Sequence, residues 1–226
     1  MKYQNIVKGR FIARPNRFIA MVEIDGKPTV CHVKNTGRCK ELLQEGAEVW
    51  VEKSDNPNRK TAYDLICVKK GPQIINMDSQ APNKIAEEWL PNSGLFSPAL
   101  KLRREVKNGD SRFDILAEDQ GIKTWIEVKG VTLEEDGIAR FPDAPTERGV
   151  KHIRHLCKLI EGGENAMILF VVQMKGIKHL EPNYRTHPAF GEALKKAQKM
   201  GVKILAVDCK VIPGTVVADK MIPIVI

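Results

Sequence analysis

The chain has 226 residues, enough for one large domain or two small ones with cores of their own. With 42% hydrophobic and 28% charged residues it falls outside the disordered and membrane-spanning classes, and no run approaches the roughly 20 apolar residues that cross a bilayer. A formal net charge of +8 favours a polyanionic partner without identifying it.

The first 70 or so residues read as strands. Phe11–Ala13, Arg17–Ile24, Lys27–Val33, Glu48–Lys53 and Ala62–Lys69 are short apolar or alternating runs. Turn residues separate them at Arg14-Pro15-Asn16, Asp25-Gly26, Asn35-Thr36-Gly37, Glu45-Gly46 and Asp55–Asn58. Asp25-Gly26 between alternating runs predicts a hairpin turn. Only Cys39–Gln44 offers a helical turn. Five strands with one short helix predict a small β-barrel, OB-like by size, with an SH3-like barrel as the competing reading. Lys8, Arg10, Arg14 and Arg17 crowd this region; they are either a solvated face or a surface turned toward phosphates.

From about residue 81 helices and strands alternate. Ala81-Pro82-Asn83 starts a short helix that Pro91 stops. Strands are expected near Leu102–Val106, Arg112–Glu118 and Thr124–Lys129, with a helix from Glu147 to Gly162-Gly163. A strand at Ala166–Gln173, a helix at Pro188–Met200 and a strand at Val202–Asp208 follow. This order describes an α/β mixed sheet with helices on its faces. The expected division is therefore 1–80 for the barrel and 81–226 for the mixed sheet. On the helix after Glu147, Val150, Ile153, Cys157 and Ile160 form an apolar face. Arg148, Lys151, His152 and His155 fall opposite, as a solvated basic face or a phosphate-tracking one. Arg103 and Arg104, with Lys101 and Lys107, make another basic cluster. Five scattered cysteines without a Cys-x-x-Cys pair, and an amino terminus with no apolar core for a signal peptide, make a cytoplasmic location the expectation.

The most informative stretch is 111–129. Phe113–Ala117 and Trp125–Val128 flank a polar turn, so the segment predicts a hairpin. Glu127 and Lys129 are two apart on one strand and share a face, with Ile126 and Val128 opposite. The hairpin can bring Asp114 beside them. A Glu-x-Lys pair is commonly a solvated edge pair, but here it interrupts an apolar run that reads as a central strand, where charges need a partner or a metal. Two carboxylates and an ammonium suit Mg2+ or Mn2+ and an attacking water.

The strings Ser-Arg-Phe-Asp, Ile-Glu-Val-Lys-Gly-Val-Thr-Leu, Phe-Pro-Asp-Ala-Pro-Thr-Glu-Arg-Gly and His-Val-Lys-Asn-Thr-Gly-Arg together resemble the sugar fermentation stimulation protein A family. The resemblance runs through nearly the whole chain. It implies an amino-terminal OB-like domain, a carboxy-terminal domain of the PD-(D/E)xK nuclease fold, DNA binding, and a regulatory role in sugar metabolism. By the same resemblance the nuclease acids and lysine map onto Asp114, Glu127 and Lys129, with Glu105 as the upstream acid. The chain departs from the family at Lys34, where proline is frequent, and at Gly130, where serine is frequent.

Three functions follow as alternatives. One is a Mg2+- or Mn2+-dependent DNA endo- or exonuclease, with the Val128 carbonyl as a further ligand. The second is a DNA-binding regulator that keeps the nuclease scaffold without cutting. The third is a single-strand or RNA binder working through the barrel, which would require exposed stacking aromatics among Tyr3, Phe11, Phe18, Trp50 and Tyr63. The expected partner is duplex DNA, with no membrane contact. Lys34, Asn35 and Arg38 of the His32–Arg38 string join the basic residues above as candidate nucleic-acid contacts, in a structured loop that includes Thr36.

Overall fold

A computed structural model describes residues 1–35 and 37–226; Thr36, assigned from the sequence to a structured loop, lies outside them. Strands β1 (Ile6–Asn16), β2 (Ile19–Ile24), β3 (Lys27–Val33), β4 (Glu48–Lys53) and β5 (Tyr63–Lys70) pair as β1–β2, β2–β3, β1–β4 and β4–β5, all antiparallel. Parallel pairing of β3 with β5 closes the ring, giving a five-stranded barrel of the OB type. The period-two pattern does the folding work. In β2, Ala20, Val22 and Ile24 point inward and are buried while their neighbours face out. Asp25 and Gly26 both take positive φ, as a tight hairpin turn between twisted strands requires.

The first turn falls later than its residues predict. β1 continues through Pro15, and the chain reverses at Arg17-Phe18. The pairing of β1 with β2 is irregular between Phe11 and Asn16, and such irregularities are where a strand accommodates proline. Cys39–Gln44 makes a single turn, in which the Leu43 amide donates to the Cys39 carbonyl at 2.9 Å. A short strand β6 (Gln73–Asn76), absent from the sequence reading, folds back on β5.

The second part begins with helix α1 (Ala81–Trp89) and a 3-10 turn at Leu90–Asn92. Then come β7 (Lys101–Asn108), β8 (Ser111–Asp119), β9 (Ile122–Val131), β10 (Glu134–Glu135), β11 (Ile138–Phe141) and helix α2 (Glu147–Glu161). The chain continues with β12 (Asn165–Val172), β13 (His179–Pro182), helix α3 (Pro188–Lys199), β14 (Lys203–Ile212) and β15 (Thr215–Met221). Six strands form a mixed sheet in the order β15-β14-β12-β9-β8-β7, with β12 parallel to both neighbours. β10, β11 and β13 make a small separate sheet. The sequence reading missed these three short strands and β15. Two to four residues are too few to display alternation, and Val216 is the one fully buried residue of β15.

α1 covers one face of the large sheet, packing Ala81, Ile85 and Ala86 with Ile115, Ile126, Val128 and Leu169. α2 and α3 cover the other, where Val150, Ile153 and Phe190 meet Phe113, Trp125 and Phe170. That second core is continuous with the barrel interior, including Phe11, Val49 and Leu65. Polar contacts also join the two parts. Gln173 at the end of β12 donates to the Asn76 side chain and the Asp78 carbonyl, and Asn76 donates to the Tyr3 hydroxyl. The first residues pair with the β14–β15 turn, where the Tyr3 amide donates to the Gly214 carbonyl and the Val216 amide to the Met1 carbonyl. All five cysteines are free and buried. Among the described residues no helix is long and apolar enough to cross a membrane.

Candidate functional site

β8 and β9 are paired from Asp119–Ile122 as far as Ile115–Ile126, and there the ladder ends. Asp114 and Glu127 are the next residues along each strand. The Val128 amide, which lacks a β8 carbonyl at this point, donates instead to Asp114 Oδ2 at 2.8 Å, while Asn83 of α1 donates to Oδ1 at 2.9 Å. Glu127 is buried. Its Oε1 meets Lys129 Nζ at 2.5 Å and His152 Nδ1 of α2 at 2.5 Å. Its Oε2 is buried without a hydrogen-bond partner among the described residues. An ionised oxygen left dry and unpaired is costly, and a carboxylate oxygen of this kind could accept a cation.

The two acids are driven in opposite directions. Burial pushes the Asp114 carboxyl above its usual range and the charge of Glu127 adds to this, against the Val128 amide and Lys129. Burial also opposes ionisation of Glu127, but the His152 hydrogen bond and the Lys129 charge outweigh it and hold its carboxyl low. Neighbouring acids whose proton affinities are pushed apart are characteristic of catalytic and metal sites. Lys129 shares the Glu127 face, as the period of the strand requires, while Ile126 and Val128 pack toward α1.

α2 delivers His152. Its first turn is capped by Thr146, whose hydroxyl accepts from the Gly149 amide at 3.1 Å. The buried face of the helix includes Gly149, His152, Leu156 and Leu159 as well as Val150 and Ile153. His152 therefore lies within the packed stripe and not on the basic face expected for it. The assignment of His152 as a nucleic-acid contact is corrected: its ring is buried on Glu127, with Arg148 Nε 3.5 Å from Nε2. Counting Leu156 and Leu159 into the apolar stripe would have found this.

Other candidates are sorted by what already holds them. Glu105 does not join the pair. It sits on β7 at a positive φ of 54°, exposed, and its carboxylate pairs with Arg112 at 3.4 Å. Among the described residues no group of three or more His, Cys, Asp or Glu side chains converges as a metal cluster. Arg14 is withdrawn from phosphate contact because its guanidinium donates to the carbonyls of Arg17, Asn35, Gly37 and Arg38. Lys34 is enclosed by acids, with Asp64 at 3.0 Å and Glu52 and Asp78 beyond. Asn35 is buried and structures its loop, donating to the Met77 carbonyl and accepting from the Gly37 amide. Arg10, Arg17, Arg38, Arg103, Arg148 and Lys151 are exposed, and Arg104 makes a loose exposed pair with Glu87 at 3.6 Å.

Asn83 had no signal in the sequence beyond its place in a helix start. Gly130 has a steric reason. A Cβ there would lie 2.5 Å from Pro82 Cγ and 2.7 Å from Gln173 Oε1, so a side chain at this position requires Pro82 and Gln173 to shift.

These observations define a class: a two-part protein in which an OB-type barrel is joined to a mixed α/β sheet carrying a buried Asp–Glu–Lys site. Comparison with known proteins finds family matches in both parts. Residues 12–77 match the family described as SfsA N-terminal OB domain, and residues 80–215 match the sugar fermentation stimulation protein RE domain. A sugar fermentation stimulation protein homolog from Ruminiclostridium cellulolyticum is 55% identical over 224 residues, covering 99% of each chain. Another, from Clostridium beijerinckii, is 57% identical over 211 residues and covers 93% of each. The solved structure of Pyrococcus furiosus SfsA in complex with Ca2+ superposes with a TM-score of 0.90 at 28% identity, covering 100% of this chain and 98% of that one. The chain belongs to the sugar fermentation stimulation protein family.

Proposed function

We propose that this protein binds DNA and hydrolyses phosphodiester bonds at Asp114, Glu127 and Lys129, with Mg2+ or Mn2+ as cofactor, on a scaffold of the PD-(D/E)xK nuclease type. The observation that carries the reading is the buried, unpartnered Glu127 Oε2 beside Asp114 and Lys129. A binding scaffold has no use for paired acids facing phosphates, because carboxylates repel DNA unless a cation lies between them. The donor set fits a hard divalent cation, which takes carboxylate oxygens. That a relative was solved with Ca2+ is consistent with this.

Asp114 and Glu127 would hold the cation, with the carbonyl of Val128, the next residue along β9, as a further ligand. When bound it would offset charge developing on the phosphate oxygens and lower the pKa of a coordinated water. The residues of the chain divide the remaining tasks. Asn83 and the Val128 amide fix the Asp114 carboxylate. His152 and Lys129 occupy Glu127 Oε1, and Oε2 keeps its lone pairs unengaged among the described residues. Lys129 orients the attacking water and stabilises the hydroxide as it forms. The exposed cations Arg10, Arg17, Arg38, Arg103, Arg148 and Lys151 supply electrostatic attraction for the polyanion.

Calorimetry with Mg2+, Mn2+ and Ca2+, beside cleavage assays on plasmid and linear DNA, tests the reading. Glu127→Ala is expected to lose both metal binding and cleavage. Lys129→Ala should keep metal binding while cleavage falls about 10²–10⁴-fold, the usual contribution of a positioned proton-transfer group. A parent protein that binds none of the three ions and cuts no DNA would be a DNA-binding protein on an inactive nuclease scaffold.

A further inference from the structure

Of the barrel aromatics, Tyr3, Phe11 and Trp50 are buried and Tyr63 is half-buried, whereas Phe18 is 45% exposed. A lone exposed apolar side chain is ordinary; the setting of Phe18 is not. It lies at the β1–β2 turn, and the backbone there is fixed from several sides. The Phe18 amide donates to Asn16 Oδ1 at 2.9 Å, its carbonyl accepts from the Val33 amide at 2.8 Å, and the Arg17 carbonyl accepts from Arg14 at 2.8 Å. The Arg17 guanidinium lies over the ring, 4.7 Å from its centroid. The side chain is thus presented on a rigid turn with a cation stacked on it.

The turn borders a cleft of about 310 Å3 lined by Asn16, Arg17, Gly37, Arg38 and Lys40. The lysines and arginines of the barrel that form ion pairs are Lys8, Lys34, Arg59, Lys69 and Lys70; among the described residues Arg17, Arg38 and Lys40 form none. Gly37 also lines a second, polar cavity of about 170 Å3 with Asn35, Asp143, Gln173 and Gly130. Gly130 adjoins Lys129. Concave surface therefore lies beside the Phe18 turn and on both sides of Gly37.

We infer that this surface takes a single polynucleotide strand, one unpaired base stacking on Phe18 while Arg17, Arg38 and Lys40 hold its phosphates. The inference rests on the reading above that nucleic acid is the partner, and it names the strand state. In a duplex both faces of a base are covered by its neighbours, so an aromatic platform can be used only by an unpaired base. The expectation of duplex DNA rested on charge and on the family resemblance, neither of which distinguishes the two.

The test is fluorescence anisotropy of the full-length protein in EDTA, with a labelled oligothymidylate of about 12 nucleotides, within the span of one OB fold, and a hairpin duplex of matching charge. The single strand should bind more tightly. Phe18→Ala should weaken single-strand binding about 5- to 150-fold, the usual contribution of one base–aromatic stack, and leave the duplex value unchanged. Phe18→Trp should retain the preference. Arg38→Glu and Lys40→Glu should each lower the salt slope by about 0.7. Equal affinity for both probes, or an unchanged single-strand affinity in a Phe18→Ala protein with the parent melting temperature, overturns the inference. Because no metal is present, the result is independent of hydrolysis. A protein that binds no divalent ion but keeps the Phe18-dependent preference sinks the hydrolytic reading alone, and one that cuts DNA with an inert Phe18 sinks this one alone.

Discussion

Asp64 of the barrel and Glu127 of the mixed sheet are built from similar parts. Each is a buried carboxylate on a strand, facing one lysine and one histidine: Lys34 and His32 for Asp64, Lys129 and His152 for Glu127. They differ in completeness. Arg59 reaches both oxygens of Asp64, so each has at least two donors. Glu127 has two donors on Oε1 and, among the described residues, none on Oε2. A finished network stabilises a fold; an unfinished one, held in place by its finished half, is available for chemistry. The charge count around a buried acid does not separate the two cases, but the unpaired lone pairs do.

The contrast can be broken most directly at Asp64. Asp64→Ala strands Arg59 and Lys34 in a half-buried site and should cost about 3–5 kcal/mol, as removal of one partner from a buried network does. Urea denaturation measures this, and a loss below about 1 kcal/mol would show that the cluster is not structural. Acid provides a second route. Burial alone would raise the Asp64 carboxyl, but Arg59, Lys34 and His32 outweigh it and bring it down to about 2. A folded-state value depressed below the unfolded value of about 3.9 stabilises the fold above that pH. The contribution, roughly 2–3 kcal/mol, is lost as pH falls from about 4 to 2. Stability followed against pH should show this slope in the parent and not in Asp64→Asn. The smallest effect belongs to Glu127→Gln. Its ionised form is favoured by His152 and Lys129. Removing the charge relieves the repulsion on Asp114, however, and the Gln amide oxygen can still accept, so the net loss should be about 1 kcal/mol. A loss of 3 kcal/mol in the same denaturation assay would make Glu127 a second structural carboxylate and erase the distinction.

Much of this was legible in the residues, for reasons that also explain the gaps. The barrel strands and β8–β9 announce themselves because alternation over six or more residues has one physical meaning. The sharing of a face by Glu127 and Lys129 follows from the strand period alone. Arg14, Lys34 and His152 were misassigned for one reason: a cation in sequence shows its charge but not its partners, and all three are engaged by groups distant in the chain. Glu105 was carried over by resemblance, and its left-handed backbone and pairing with Arg112 are invisible to spacing. Asn83 comes from another element altogether, and nothing local marks it. Phe18 shows the converse, since its exposure depends on a turn that lies after Pro15 instead of around it.

The pairing of the first residues with the β14–β15 turn has a mechanical consequence. The chain enters the barrel from the edge of the mixed sheet at Met1–Tyr3 and leaves it at Met77–Gln80, and the Tyr3 hydroxyl touches Asp78 and Asn76 across these two crossings. These two crossings add to the shared core and to the Lys70–Glu134 and Gln73–Lys175 contacts, so the barrel is fixed to the mixed sheet from several sides. Gly37–Lys40 and the Lys129 end of β9 are therefore held in one fixed relation by the packing that joins the two parts.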